Sequence, residues 1–261
     1  MLNRAQIITI GLFTALFFLL YFGCSTKSKK QINLEKSRAT KFELLSIDRV
    51  ISEAMGKITP GARVEISQLD ERIQNSDLVS EKLEYYQSLA SIWYTESFPL
   101  ISGYFAEKIA NEKEDASSWG IAGTTFSIAA QRANDENEKQ YAIEKSRVSF
   151  EKSLSLESDI DNEVNLALTY VEVPLEDNPM KGILMLRELN ENHPENVAVI
   201  MQLARLSLQT GQFDKAVERL EKVIELRPSS ANAYCMLAEV LRQKGDNSAA
   251  EYQTKCDKLK K

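Results

Sequence analysis

Few residues in this chain could do acid–base, nucleophilic or metal chemistry. Its 261 residues hold one histidine, His193, and three cysteines, Cys24, Cys235 and Cys256. His193 lies in Asn192-His193-Pro194, a loop-forming tripeptide, and reads as an exposed loop residue rather than a base. The ten glycines build no phosphate-cradling loop. Cys235 and Cys256 fall on two segments of helical pattern, and their spacing matches no zinc site. Helix-borne cysteines are usually buried small apolar groups, which is the reading adopted, although the two could lie close enough for a disulfide. Carboxylates are plentiful, but pairs such as Glu218 and Lys222 stand at i,i+4 and read as solvated helix faces. The expectation is therefore a non-enzymatic chain with no catalytic residue, no metal ligand set and no cofactor.

The elements that carry these residues are helical. Only 10 Gly and 6 Pro occur, below the roughly 7% and 5% of average usage, and a chain poor in both has few turns and strand ends. A hydrophobic fraction of 43% with 27% charged residues is ordinary globular composition. The length allows one large domain or two small ones. The formal net charge of −6 argues against nucleic acid as a partner.

The first 24 residues form a targeting segment. Ile7 to Phe22 is an apolar run interrupted by Thr9, Gly11 and Thr14, preceded by Arg4 and followed by Gly23 and Cys24. Leu20-Tyr21-Phe22-Gly23-Cys24 resembles a bacterial lipobox, which implies lipidation at Cys24; Tyr21 and Phe22 depart from that pattern. The competing reading is an uncleaved signal anchor. Sixteen residues at ~1.5 Å each reach about 24 Å, short of a hydrocarbon core of about 30 Å. Either way the membrane is reached through residues 5–24. Sidedness is contested. Lys27, Lys29, Lys30, Lys36 and Arg38 after the run would hold the body in the cytoplasm. A processed lipoprotein would place it in the periplasm or beyond the cytoplasm, which is the side favoured.

Residues 25–32 read as a linker and 33–82 as a helical region. Ile47, Ile51, Ala54, Met55 and Ile58 keep helical spacing, Thr59-Pro60-Gly61 stops that helix, and Ala62, Ile66, Leu69 and Ile73 mark a second. From residue 83 the chain repeats. A paired apolar motif with a third residue four places on occurs at Leu89-Ala90/Trp93, Ala122-Gly123/Phe126, Leu166-Ala167/Tyr170, Leu203-Ala204/Ser207 and Leu237-Ala238/Leu241, at spacings of 33, 44, 37 and 34. A second set follows each: Ser102/Ala106/Ile109, Ser146/Phe150/Ser153, Gly182/Leu186/Leu189, Ala216/Leu220/Val223 and Ala250/Thr254/Asp257. The offset between the small residues is 12 in three units and 23 and 15 in the others. Residues 132–140 supply the polar tip of the longer insertion. The other, at 173–180, holds Pro174 and Pro179 and reads as a connecting loop.

The region 83–261 resembles the tetratricopeptide repeat, a 34-residue helix–turn–helix unit. Trp119-x2-Ala122-Gly123-x2-Phe126 is close to its W-x2-L-G-x2-Y signature. Gly211 and Gly245 sit at the turns within units, and Pro194 and Pro228 close two units. The resemblance implies an all-α superhelix of about five helix pairs, with units near 83–115, 116–159, 160–196, 197–230 and 231–261. The polar Thr254 and Asp257 suit a terminal capping helix.

The resemblance also implies a concave groove lined by the first helix of each unit. The matching positions are Gln87, Ser91, Thr95, Thr124, Leu168, Met201, Arg205, Gln209, Asn232, Glu239 and Arg242. They lack the dense Lys/Asn set by which some family members clamp a terminal carboxylate. A membrane-anchored scaffold that binds a protein or peptide is the leading expectation. The alternative is a solute-binding or transporter-accessory helical lipoprotein, which would need an enclosed cavity near Trp93, Trp119 and Phe126.

Overall fold

Side-chain caps and turn residues divide the chain into helices. In the computed structural model, residues 46–260 are described. The anchor segment, Cys24, the linker 25–32 and the start of the helical region lie outside the described residues. Within them run twelve helices: α1 (Ile47–Met55), α2 (Pro60–Asn75), α3 (Val79–Thr95), α4 (Pro99–Lys113), α5 (Ala116–Arg132), α6 (Glu136–Leu156), α7 (Ile160–Glu172), α8 (Lys181–Asn192), α9 (Val197–Gln209), α10 (Phe213–Leu226), α11 (Ala231–Lys244) and α12 (Ala249–Leu259). Asp115, Asp135, Asp159 and Asn196 each accept hydrogen bonds from backbone N–H groups of the first turn they precede. Such a cap contributes about 1 kcal/mol. Among the described residues no helix is long and apolar enough to cross a membrane.

From α3 onward the helices form five pairs, and each helix packs on the next in the chain. The first helices of successive units also meet, α5 with α7, α7 with α9 and α9 with α11, so they share one face. The repeated motifs are the reason. Leu89, Ala122, Ala167, Ala204 and Leu237 are fully buried, as are Phe150, Leu186, Ala216 and Leu220 on the second helices. Small residues let the two helices of a unit approach, and larger ones fill between units. One cluster joins Ile200 and Ala204 to Leu237, Val240 and Leu241 of the following unit, so the core runs on from pair to pair. The chain is thus an all-α stack of five helix pairs preceded by a further pair. That pair, α1–α2, places Ala54, Ile58, Ile66 and Leu69 against Leu89, Trp93, Ile101 and Phe105, covering the outer side of the first unit.

Turn geometry follows the same register. Gly211 and Gly245 take φ of +71° and +74°, where a glycine has no Cβ to clash. Eight residues after Leu89, at the equivalent place in the first unit, stands Ser97 with φ 69°. In the second unit α5 has 17 residues against 13 in α9, and α6 has 21 against 14 in α10. Together these lengthenings absorb the eleven-residue insertion, and the turn is left at Ala133 to Asp135.

The loop before α8 is held from within. Arg147, buried on α6, donates to the carbonyls of Thr169 (3.1 Å) and Val173 (2.9 Å), pairs with Glu144 (2.8 Å) and lies 4.3 Å from the Tyr170 ring centroid. Leu175 of the loop packs beside Phe150, Leu166 and Tyr170, whereas Met180 is half exposed.

The last unit corrects two expectations. Cys235 and Cys256 are not two separate buried thiols: a disulfide joins them, with their Cα atoms 5.0 Å apart. The inward stripe of α12 is Ala249, Tyr252 and Cys256, and Ala250, Thr254 and Asp257 are exposed. The helix begins late, after Asn247 and Ser248 have formed a turn, and Cys256 must face α11 to reach Cys235. A one-residue shift turns a helix face by about 100°, which the repeat arithmetic did not register.

Candidate functional site

Four residues of α3, Gln87, Ser91, Tyr94 and Thr95, stand at i, i+4, i+7 and i+8 and so share one stripe. Leu89 and Trp93 point the other way into the core, which fixes that stripe outward. On α5, Ser118, Ile121 and Thr125 form the facing stripe, because Ala122 and Phe126 are buried beneath them. Between the two helices runs a groove of about 380 Å³ whose floor is Ser102, Ala106 and Ile109 of α4. The Ser102 hydroxyl donates to the Ala90 carbonyl (2.8 Å) and fastens that floor to α3.

The groove is mixed in chemistry. Tyr94 is 41% and Ile121 59% exposed, so apolar surface is open to a partner. Gln87, Ser91 and Thr95 add hydrogen-bonding groups around it. The Arg132 guanidinium lies 5.6 Å from the Tyr94 ring centroid, a cation–π contact at one end, and Lys113 is also on the lining.

A second groove, of about 440 Å³, continues along α5 toward α7. Ile121 and Thr125 line both, so one ridge of α5 separates two parts of the same face. This part is more polar, with Thr124, Glu157, Asp159 and Asn162. Asn162 donates to the Ser153 hydroxyl (3.1 Å), which in turn donates to the Ala116 carbonyl (2.7 Å). Asp115, which caps α5 just before Ala116, is held below the usual carboxylate range by the backbone N–H of Ser118.

Of the positions implied by the resemblance, Gln87, Ser91 and Thr95 line the first groove and Thr124 the second. The others lie elsewhere along the first helices. Leu168 and Met201 are half buried and pack against the core clusters of their units. Arg205 is exposed and donates to Gln202 (3.0 Å), and Gln209 and Asn232 are exposed. Arg242 pairs with Glu239 (2.7 Å) and reaches Gln253 (3.2 Å), so its charge is already partnered. Tyr94, Ile121 and Thr125 were missed by sequence reasoning. The available signal was an aromatic and an aliphatic residue placed one step away from the core positions Trp93 and Ala122.

The residues singled out for chemistry do not converge. His193 is exposed at the end of α8. Among the described residues no group of three or more His, Cys, Asp or Glu could hold a metal ion. Trp93, Trp119 and Phe126 are buried in the core and line neither groove.

A family model described as TPR repeat matches residues 205–245. No curated protein matches the chain. Among solved structures, a MamA fragment (41-end) from Desulfovibrio magneticus RS-1 is 15% identical, with a TM-score of 0.48, over 69% of this chain and 95% of that one. The structure of YrrB, a TPR protein with an unusual peptide-binding site, is 16% identical, with a TM-score of 0.41, over 73% of this chain and 91% of that one. The segment from Arg205 in α9 to Gly245 after α11 is thus similar to tetratricopeptide repeat sequence, and it lies within a stack of helix pairs.

Proposed function

We propose that this chain is a non-catalytic scaffold that binds a segment of another protein along its first-helix face, and that its N-terminal segment tethers it to a membrane. The observation that carries the binding reading is the exposed Tyr94 and Ile121 between polar groups, on a face that continues past α5. A stacked solenoid presents such a face already formed, so a partner segment bears most of the ordering cost. Apolar side chains of the partner would bury against Tyr94 and Ile121, and its backbone would meet Gln87, Ser91 and Thr95.

The tether rests on the apolar run before Cys24. The Cys235–Cys256 disulfide supports the exported side, because such bonds persist in oxidising compartments and are rare in reducing cytosol. Crosslinking in cells, with partners identified by mass spectrometry, tests the binding reading. An Ile121→Asp variant should lose the crosslinked partner while remaining folded; unchanged crosslinking would sink it. Mass analysis of the mature N-terminus decides the tether separately, since an intact Met1 excludes lipidation at Cys24.

A further inference from the structure

A different groove opens on the side formed by second helices. It lies between α8 and α10, has a volume of about 1040 Å³, and is floored by Leu203, Leu206 and Ser207 of α9. One end is apolar: Met180 and Ile183 line it, and Leu184 beside them is 50% exposed. The other end is cationic, with Arg187 from α8 and Arg219 from α10.

Neither arginine forms an ion pair among the described residues. Arg219 is half buried and donates to the Leu203 carbonyl (3.2 Å) and to the Ser207 hydroxyl, both uncharged. Arg187 makes no hydrogen bond or ion pair among the described residues, and Arg219 forms no ion pair there. Burial pulls Arg219 below its usual range; Glu218 opposes that and the charge of Arg187 reinforces it. Lys222 is paired with Glu225, and Lys215 donates to Gln212. Glu218 and Glu221 are exposed on α10 and also line the groove. A half-buried guanidinium with no ion-paired carboxylate among the described residues gains most from one it can hold with two parallel hydrogen bonds.

We infer that this groove docks an acidic amphipathic peptide segment, whose carboxylate meets Arg187 and Arg219 and whose apolar side chains cover Met180, Ile183 and Leu184. It stands apart from the first-helix face, so the two surfaces can fail independently. Arg219 is half buried between α8 and α10 over a floor of α9, a recess that a peptide side chain can enter and a flat bilayer surface cannot follow.

The test uses the full chain held in a nanodisc of neutral lipid and a displayed library of random 16-residue peptides. Recovered binders should be enriched in Asp and Glu beside apolar residues. Their affinity should fall at least tenfold in Arg187→Glu and in Met180→Asp, and stay within twofold in Ile121→Asp. Among the described residues Arg187 has no hydrogen-bond or ion-pair partner to lose, and circular dichroism checks that each variant keeps its helices. Arg219→Lys keeps the charge without the planar fork and should give an intermediate loss. Binders without carboxylates, or affinity retained in Arg187→Glu, would overturn the inference. So would phosphatidylglycerol vesicles that bind the chain in an Arg187-dependent way while no peptide does, since that would assign the surface to a bilayer.

Discussion

A Cβ placed on Gly103 would lie 2.7 Å from the ring of Phe126, so these two residues set how closely α4 and α5 approach. One helix further on the arrangement recurs, where a Cβ placed on Gly123 would lie 2.7 Å from the Phe150 ring. In both cases a helical glycine, unfavourable by about 1 kcal/mol relative to alanine, leaves room for a fully buried aromatic ring. The first units are held together by this fit.

Glycine-to-alanine substitutions should therefore separate by what the new methyl meets. At Gly182 it would lie 2.4 Å from the Ala167 carbonyl oxygen and 2.7 Å from the Val171 nitrogen, backbone atoms that cannot turn aside. Gly182→Ala should destabilise by about 2–3 kcal/mol, the upper part of the overpacking range. Gly103→Ala should cost less, because a ring can shift and helix propensity returns part of the loss. Gly61, near the start of α2, meets nothing within 4 Å, and Gly61→Ala should stabilise by about 0.5–1 kcal/mol. Urea unfolding midpoints rank the three; a Gly182→Ala variant as stable as the parent would contradict the packing account.

Ser97 occupies the left-handed turn position that glycine fills in the fourth and fifth units. A residue with a Cβ is strained there by roughly 1–2 kcal/mol. Ser97→Gly should raise the unfolding midpoint, offset partly by the greater entropy of glycine in the unfolded chain. The same change at Ser91, inside α3, should lower it. Thermal melts of the two variants give opposite signs if the turn is strained.

The Cys235–Cys256 bond closes a segment with a sequence separation of 21. A disulfide of that loop length stabilises by about 3 kcal/mol. Because stability in a repeat stack is carried by each unit and its neighbours, the Cys235→Ala/Cys256→Ala double variant should release α12 first. Hydrogen exchange should rise across residues 249–259 and stay unchanged in α5 and α6. Uniform loosening of the whole stack would show that the bond acts globally.

Arg147 is buried among the carbonyls of Thr169 and Val173. Arg147→Ala leaves both carbonyls and the Glu144 carboxylate without this donor, and such losses cost about 3–5 kcal/mol. Arg147→Met, which fills the volume, should cost less than Arg147→Ala but still raise hydrogen exchange near Val173. Equal unfolding midpoints for the parent and both variants would show the network to be dispensable.

Tyr141 on α6 gives an alkaline signature. Burial, with the Glu107 carboxylate and Tyr104 nearby, pushes its hydroxyl from the ordinary value of 10 up to about 12. The folded chain then holds a proton that the unfolded chain has lost, so stability is full below pH 10 and falls as pH rises toward 12. Tyr141→Phe should flatten the fall in unfolding midpoint over that window. An identical pH profile would show that Tyr141 titrates normally.

The sequence by itself determined the helices and their pairing. Apolar residues at helical spacing, a small residue repeating at an offset of 12, and glycines at Gly211 and Gly245 are local signals, and each has a local physical cause. Gln87, Ser91, Thr95 and Thr124 followed from the resemblance, which implies a face lined by the first helix of each unit, and they lie on the two grooves of that face. The tertiary structure alone decided which outward residues meet. Whether Tyr94 and Ile121 face each other depends on the distance between α3 and α5, which is set by the packing beneath them and not by either helix. The rotation of α12 was decided by a bond between two cysteines on different helices. That Arg187 and Arg219 line one groove is likewise a property of how α8 and α10 stack, and no periodicity along one helix encodes it.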